Sequence, residues 1–182
     1  MHTKARSKYI QFILTIMLLQ TALDAFSQER PVKEQSFKER LFFGGNFGLQ
    51  FGNETVIDLS PLVGYRLTDK LSAGAGITYM YYRLRVPSVD FSTNIYGGRL
   101  FGRYFFLDNL FGHVEYEILN LEVFDIGNVR RVEVTNILVG GGYRQHLGGR
   151  TFINILALWN INQSEYSPYR NPIIRMGIGF GI

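Results

Sequence analysis

The chain contains no cysteine, which excludes a disulfide framework, a thiol nucleophile, a Cys-type zinc site and a lipoprotein anchor. Charge is sparse: Asp, Glu, Lys and Arg make up 19% of 182 residues, against roughly 25% in soluble domains. Lysine is scarcer still, occurring at Lys4, Lys8, Lys33, Lys38 and Lys70. From Leu41 to Ile182 a single lysine therefore stands among arginines, and a water-facing surface of that length rarely does without lysine. After the amino-terminal region no apolar run reaches the roughly 20 residues of a membrane-spanning helix. What the chain has in quantity is 20 glycines, 15 phenylalanines and 11 tyrosines, within a hydrophobic share of 46%. That share buries enough surface to exclude a disordered chain, and the length fits one domain.

The first segment reads as an export signal. Lys4, Arg6 and Lys8 precede an apolar run from Tyr9 to Leu23, and Asp24-Ala25-Phe26-Ser27-Gln28 follows with small residues at Ala25 and Ser27. This pattern predicts a signal peptide over residues 1–27, cleaved before Gln28. Its removal takes away three cations and Asp24, lowering the formal charge from +4 to +2. The basic balance is thus partly a property of the signal and is no argument for nucleic-acid binding. Residues 28–40 carry both charge signs without periodicity and read as a short, polar, solvated periplasmic tail.

From Leu41 onward the hydrophobic period is two. In the first strand Leu41, Phe43, Gly45, Phe47, Leu49 and Phe51 share one face, while Phe42, Gly44, Asn46, Gly48, Gln50 and Gly52 share the other, mostly small or polar. Alternation of this kind is a strand signal. Seven further segments follow, at about 55–67, 71–84, 94–106, 110–122, 132–146, 150–162 and 172–182. Thr68-Asp69-Lys70, Leu107-Asp108-Asn109 and Leu147-Gly148-Gly149 form three-residue turns between them. Gly64-Tyr65-Arg66 and Gly142-Tyr143-Arg144 precede two of these turns, giving a hairpin repeat. The other connections, near 52–54, 85–92, 124–131 and 163–171, are more varied and mostly longer. The fold predicted for residues 41–182 is all-β: an eight-stranded antiparallel up-and-down barrel.

Which face meets which solvent follows from residue type. A soluble barrel is apolar inside and charged outside, whereas a membrane barrel inverts this. Here the polar face holds Gly, Asn, Ser and Arg rather than Lys. Glycine suits the crowded interior of eight strands, and arginine suits buried pairing. On the apolar face Tyr65, Tyr104, Phe106, Tyr143 and Phe180 fall near the short turns, with Tyr79, Tyr81, Tyr96 and Trp159 toward the other end. Two aromatic girdles around an apolar band fit a lipid surface.

The export signal, eight alternating strands and carboxyl end resemble small outer-membrane β-barrel proteins of the OmpA or OmpX type. The Gly-rich first strand and Gly-Tyr-Arg turns are similar to those common in Bacteroidota. Arg175-Met176-Gly177-Ile178-Gly179-Phe180-Gly181-Ile182 resembles an outer-membrane insertion signal, carried by Arg175, Gly177, Phe180 and Ile182, although it ends in Ile182 where an aromatic is usual. The resemblance implies location in the outer membrane, contact with its lipid and lipopolysaccharide, and insertion by the barrel-assembly machinery. It implies no activity.

Across the turn at 107–109, Arg99 faces Glu117 and Arg103 faces His113, near Glu115. With Asp58, Arg66, Arg144 and Arg175 these residues define an expected interior polar network, because an unpaired charge there costs several kcal/mol. A largely filled polar interior and a structural or general membrane role are therefore expected. Arginine outweighs acid in this set, so the alternative is a narrow pore with weak anion preference. A further alternative is an adhesion barrel acting through loops carrying Arg85, Asp90, Phe91, Arg130, Arg131 and Ser164–Tyr169. No catalytic, cofactor or metal site is expected: His113 and His146 fall near the periplasmic turns, and no nucleophile elbow, phosphate loop or ligand cluster is present.

Overall fold

A computed structural model describes residues 31–50, 54–86, 89–125 and 128–182; the segment assigned to the signal peptide lies outside them. Eight strands follow one another: β1 (Leu41–Gln50), β2 (Glu54–Arg66), β3 (Leu71–Val86), β4 (Val89–Phe105), β5 (Leu110–Asp125), β6 (Asn128–Gly148), β7 (Thr151–Asn160) and β8 (Ile173–Gly181). Each pairs antiparallel with the next, and β8 pairs with β1 to close the barrel. Closure leaves no sheet edge around the wall.

The outward face is the apolar face. Ile77, Leu100 and Ile174 are 62–63% exposed, and Phe47, Leu59, Val114, Ile155, Met176 and Ile178 are exposed around the same belt. Tyr79 and Tyr96 pack at a tilt with ring centroids 5.5 Å apart on the outer-loop side, and Tyr104 and Phe106 meet edge-on at 5.4 Å on the turn side. Both aromatic girdles thus point out of the barrel.

Three sequence expectations are corrected by the backbone. Within the connections expected near 85–92 and 124–131 the described residues are strand: Arg85 pairs with Asp90 and Asp125 with Asn128, so β3–β4 and β5–β6 run on as tall hairpins. The side chains of Arg85, Asp90 and Phe91 lie outside the described part of the structure, and Arg130 and Arg131 belong to β6. The third short turn is not a three-residue loop. Gly148 pairs with Thr151 and His146 with Phe152, leaving Leu147 as a bulge, with Gly148 and Gly149 at φ of 118° and 56°. Such angles suit glycine and are strained for a side-chain-bearing residue.

The tail is also not simply solvated. Residues 32–34 and 38–40 make two 3-10 turns across the turn end of the barrel. Val32 is buried, and its N–H donates to Asp69 Oδ1 at 2.6 Å. Phe37 packs on Tyr65 with ring centroids 5.2 Å apart, and Glu39 lies 3.7 Å from Arg150. One apolar residue and one ring thus tie a charged segment to the β2–β3 and β6–β7 turns.

Candidate functional site

The barrel interior is where the sequence places its polar side chains, and there the structure builds a layered filling. Among the described residues the buried side chains are polar and apolar in nearly equal number. Phe42, Leu62, Phe101 and Phe152 form an apolar floor toward the turns. Met80, Ile95, Leu119, Leu121 and Val134 form an apolar roof toward the outer loops. Phe105, Phe111, Leu138, Leu156, Leu158 and Ile173 line one side. The polar interior is therefore interleaved with apolar layers, and its ion pairs gather in the middle.

Within the middle layer Glu115 is the hub. Arg175 Nη1 donates to its Oε1 at 2.7 Å, Arg99 Nη1 lies 3.9 Å away, and His113 Nε2 is 3.2 Å from Oε2. Arg103 Nε donates to His113 Nδ1 at 3.1 Å. Nδ1 is thus an acceptor, and the imidazole hydrogen sits on Nε2, facing Glu115. Glu117 accepts from Thr78 Oγ1 at 2.6 Å and lies 3.8 Å from Arg175. Arg99 reaches across to β2 and β1: its Nη2 donates to the Ser60 carbonyl at 2.8 Å, and the Asn46 amide, once turned so that its oxygen faces the guanidinium, accepts from both Nη atoms at 3.2 and 3.3 Å. Ser60 in turn donates to Asp58. Buried ion pairs hold when the remaining donors and acceptors are met by hydrogen bonds, and this layer meets most of them.

The register expected across 107–109 is the one observed, with Arg99 opposite Glu117 and Arg103 opposite His113. The contacts run diagonally, however: Arg99 meets Glu115, because Arg175 and Thr78 occupy Glu117. Two expected members stand apart from this network. Arg66 is half-buried at the end of β2, outside the middle layer. Arg144 is buried but stacks on rings, 4.0 Å from the Phe152 centroid and 4.6 Å from Phe105, with Nε donating to Asn154 Oδ1 at 3.0 Å. At the carboxyl end Arg175 and Gly177 face inward, while Phe180 and Ile182 face outward.

The loop between β7 and β8 completes the filling and was not foreseen as an interior element. Tyr169 packs against the roof and the side cluster, and its hydroxyl accepts from Arg175 Nη2 at 3.0 Å. Ser167 Oγ donates to Asn136 Oδ1 at 2.8 Å. Asn171 grips the Asn160 backbone, accepting from its N–H at 2.7 Å and donating to its carbonyl at 3.0 Å. Its serine, asparagines and tyrosine are the signal that could have marked it as inward. Outside the barrel wall, Arg131 joins Glu122 at 3.2 Å and Asn120 at 2.7 Å, making a polar rim beyond the apolar belt.

Among the described residues no group of His, Asp and Glu side chains has the arrangement of a metal site. The layered interior and apolar belt define an eight-stranded up-and-down barrel with a filled core. No protein-family model and no curated protein matches the chain. Among solved structures it is similar to the N-terminal β-barrel domain of OprF from Pseudomonas aeruginosa, at 15% identity and a TM-score of 0.45, covering 79% of this chain and 96% of that one.

Proposed function

We propose that this chain is an exported integral protein of the bacterial outer membrane, with a structural role as a closed, non-conducting barrel. The observation that carries the reading is the pairing of an exposed apolar belt with an interior blocked in three layers. A belt of that composition is stable in lipid and would drive aggregation in water. The tail covers one end, and Tyr169 with Ser167 fills the other. The barrel contacts outer-membrane lipid and lipopolysaccharide and reaches them through the barrel-assembly machinery. Electrophoresis of membrane-extracted protein, with and without boiling, tests the location; recovery as a soluble periplasmic protein would reject it. Planar-bilayer recording tests closure. Absence of conductance steps is expected, whereas persistent anion-selective steps would favour the narrow-pore alternative.

The same reading makes the barrel a non-enzyme. His113 is held by Arg103 and Glu115 and stacked on Phe101 at 5.7 Å, while His146, also on the inward parity of β6, packs edge-on against Phe152 at 6.3 Å. Lipid A mass spectra are expected to be identical with and without the protein. A second reading, an interaction barrel, is favoured by the tall hairpins: β5–β6 rises past the last β6–β7 pair, Leu138–Asn160, and exposes Val129, Arg130 and Arg131. Cross-linking on intact cells, with and without the 123–131 hairpin tip, separates the two.

A further inference from the structure

We infer that the amino-terminal tail, residues 31–40, is an interfacial lipid anchor: Phe37 enters the headgroup layer of the inner leaflet, and Lys38 beside it meets phospholipid phosphate. The inference rests on the outer-membrane reading and gives a lipid-binding role to a segment that its charge alone would leave in water. The tail has two sides. Val32 and Gln35 form the buried one. The Gln35 carbonyl accepts from Arg40 Nε at 3.2 Å, and the Ser36 N–H donates to Glu39 Oε2 at 2.7 Å. These bonds fix the two 3-10 turns, so the direction of Phe37 is set by a folded segment. Its ring is 67% exposed, more than any other aromatic side chain among the described residues.

The surroundings of that ring point to lipid. Phe37 packs on Tyr65, which shares the outward face of β2 with the exposed Val63. On the adjoining strands Phe43 stacks on Phe180 at 6.2 Å, both exposed. Phe37 therefore continues the apolar belt beyond the ends of the strands. The rest of this barrel end is built alike. Leu67, Leu107 and Leu147 recur at an interval of 40 residues, one at each hairpin turn, and all three are exposed. On the fourth side β8 returns to β1 without a hairpin turn, and Phe37 supplies the apolar group there. An interfacial segment buries such a ring at the boundary of headgroups and acyl chains. A lysine stem lies along apolar surface while its ammonium reaches phosphate oxygens, and Lys38 is exposed to do so. Glu39, the next residue, is turned toward Arg150 at 3.7 Å and the Ser36 N–H, so its carboxylate is engaged within the protein.

The test is tryptophan fluorescence of the full chain folded into vesicles of phosphatidylethanolamine and phosphatidylglycerol, either plain or brominated on the acyl chains near the headgroup. The chain has a single tryptophan, Trp159, exposed on the outward face of β7, and it reports on the belt. Phe37→Trp combined with Trp159→Phe moves the reporter to the tail. Loss of its emission in brominated vesicles, with little quenching by aqueous acrylamide, is expected. Equal emission in plain and brominated vesicles, with free quenching by acrylamide, overturns the proposal. The wild-type chain separates the causes of failure. If brominated lipid quenches Trp159 but not the reporter at position 37, the anchor alone is rejected; if it quenches neither, the lipid-facing reading of the barrel falls with it. Should the double variant fail to fold, Phe37→Cys, unique in a chain without cysteine, carries a nitroxide label instead. More frequent collision with oxygen than with a water-soluble nickel chelate supports the anchor, and the reverse order overturns it.

Discussion

The ring of Phe42 lies directly over Gly64, its cross-strand partner on β2, where a Cβ on the glycine would collide with the ring. The same relationship recurs for Phe101 over Gly74, Phe111 over Gly142 and Phe152 over Gly179, each pair directly opposed across neighbouring strands. Glycine inside this barrel is therefore specific rather than merely small. Each of these four is the slot that receives a ring from the adjacent strand, and together the pairs build the floor and one side wall. Replacing Gly64 by Ala is expected to destabilise the barrel by about 1–3 kcal/mol through overpacking. Adding Phe42→Leu should return part of that loss, because the shortened side chain vacates the space. A double-mutant cycle of urea midpoints in detergent checks this, with coupling of about 0.5–3 kcal/mol expected; simple additivity would show that the ring and the glycine do not share the slot.

These pairs show what the sequence alone could specify. Period-two alternation placed Phe42 and Gly64 on the inward face, and the short turns at 68–70 and 107–109 set the register of the neighbouring strands. All four ring–glycine pairs, however, lie across the strand pairs joined at the other end of the barrel, β1–β2, β3–β4, β5–β6 and β7–β8, so their faces were legible while their pairing was not. The partners of Arg175 were not derivable. It meets Glu115 across 60 residues only after β8 has returned to β1, and no local pattern encodes that closure. Val32 and Tyr169 were illegible for a different reason: they lie in irregular segments, where burial depends on where the barrel mouth happens to be and no period announces it. The bulge at Leu147 escaped because a three-residue loop and a two-residue loop with a bulge use the same glycines.

The hub position of Glu115 predicts an asymmetric response to charge removal. Glu115→Gln leaves Arg175 and Arg99 with Glu117 as their remaining nearby carboxylate and weakens the hold on His113, so a loss of about 3–5 kcal/mol is expected. Glu122→Gln removes a carboxylate paired at 3.2 Å with Arg131, both partly exposed at the rim, and should cost about 0–1 kcal/mol. Denaturant midpoints of the two variants provide the comparison. Equal small losses would mean that water reaches the middle layer.

The Tyr169 hydroxyl gives a narrower test of the loop that folds into the barrel. Tyr169→Phe keeps the ring packed against both apolar clusters and removes the hydroxyl's bond to Arg175 together with its interaction with Glu117, so about 1.5–3 kcal/mol is expected, the range for a hydrogen bond to a charged group. Tyr166→Phe, in the same loop, touches Arg130 at 3.5 Å in an exposed position and should be nearly silent. Hydrogen exchange of residues 161–172 should rise in the first variant and stay unchanged in the second.

Lipid exposure of the belt can be tested without locating the protein in a cell. Leu100 is 62% exposed and lies midway between the outward aromatics Tyr96 and Tyr104 on β4. Arginine there would sit near the centre of a hydrocarbon layer, at a cost of about 2–4 kcal/mol, falling to about 0–1 near an interface. Leu107, comparably exposed in the β4–β5 turn, serves as the interfacial control. Folding equilibria in lipid vesicles should therefore separate Leu100→Arg from Leu107→Arg by at least about 1 kcal/mol. In a barrel surrounded by water the order would vanish, because arginine replacing an exposed leucine loses no solvation there. The sign of that one difference decides between a surface made for lipid and an apolar surface left exposed to water.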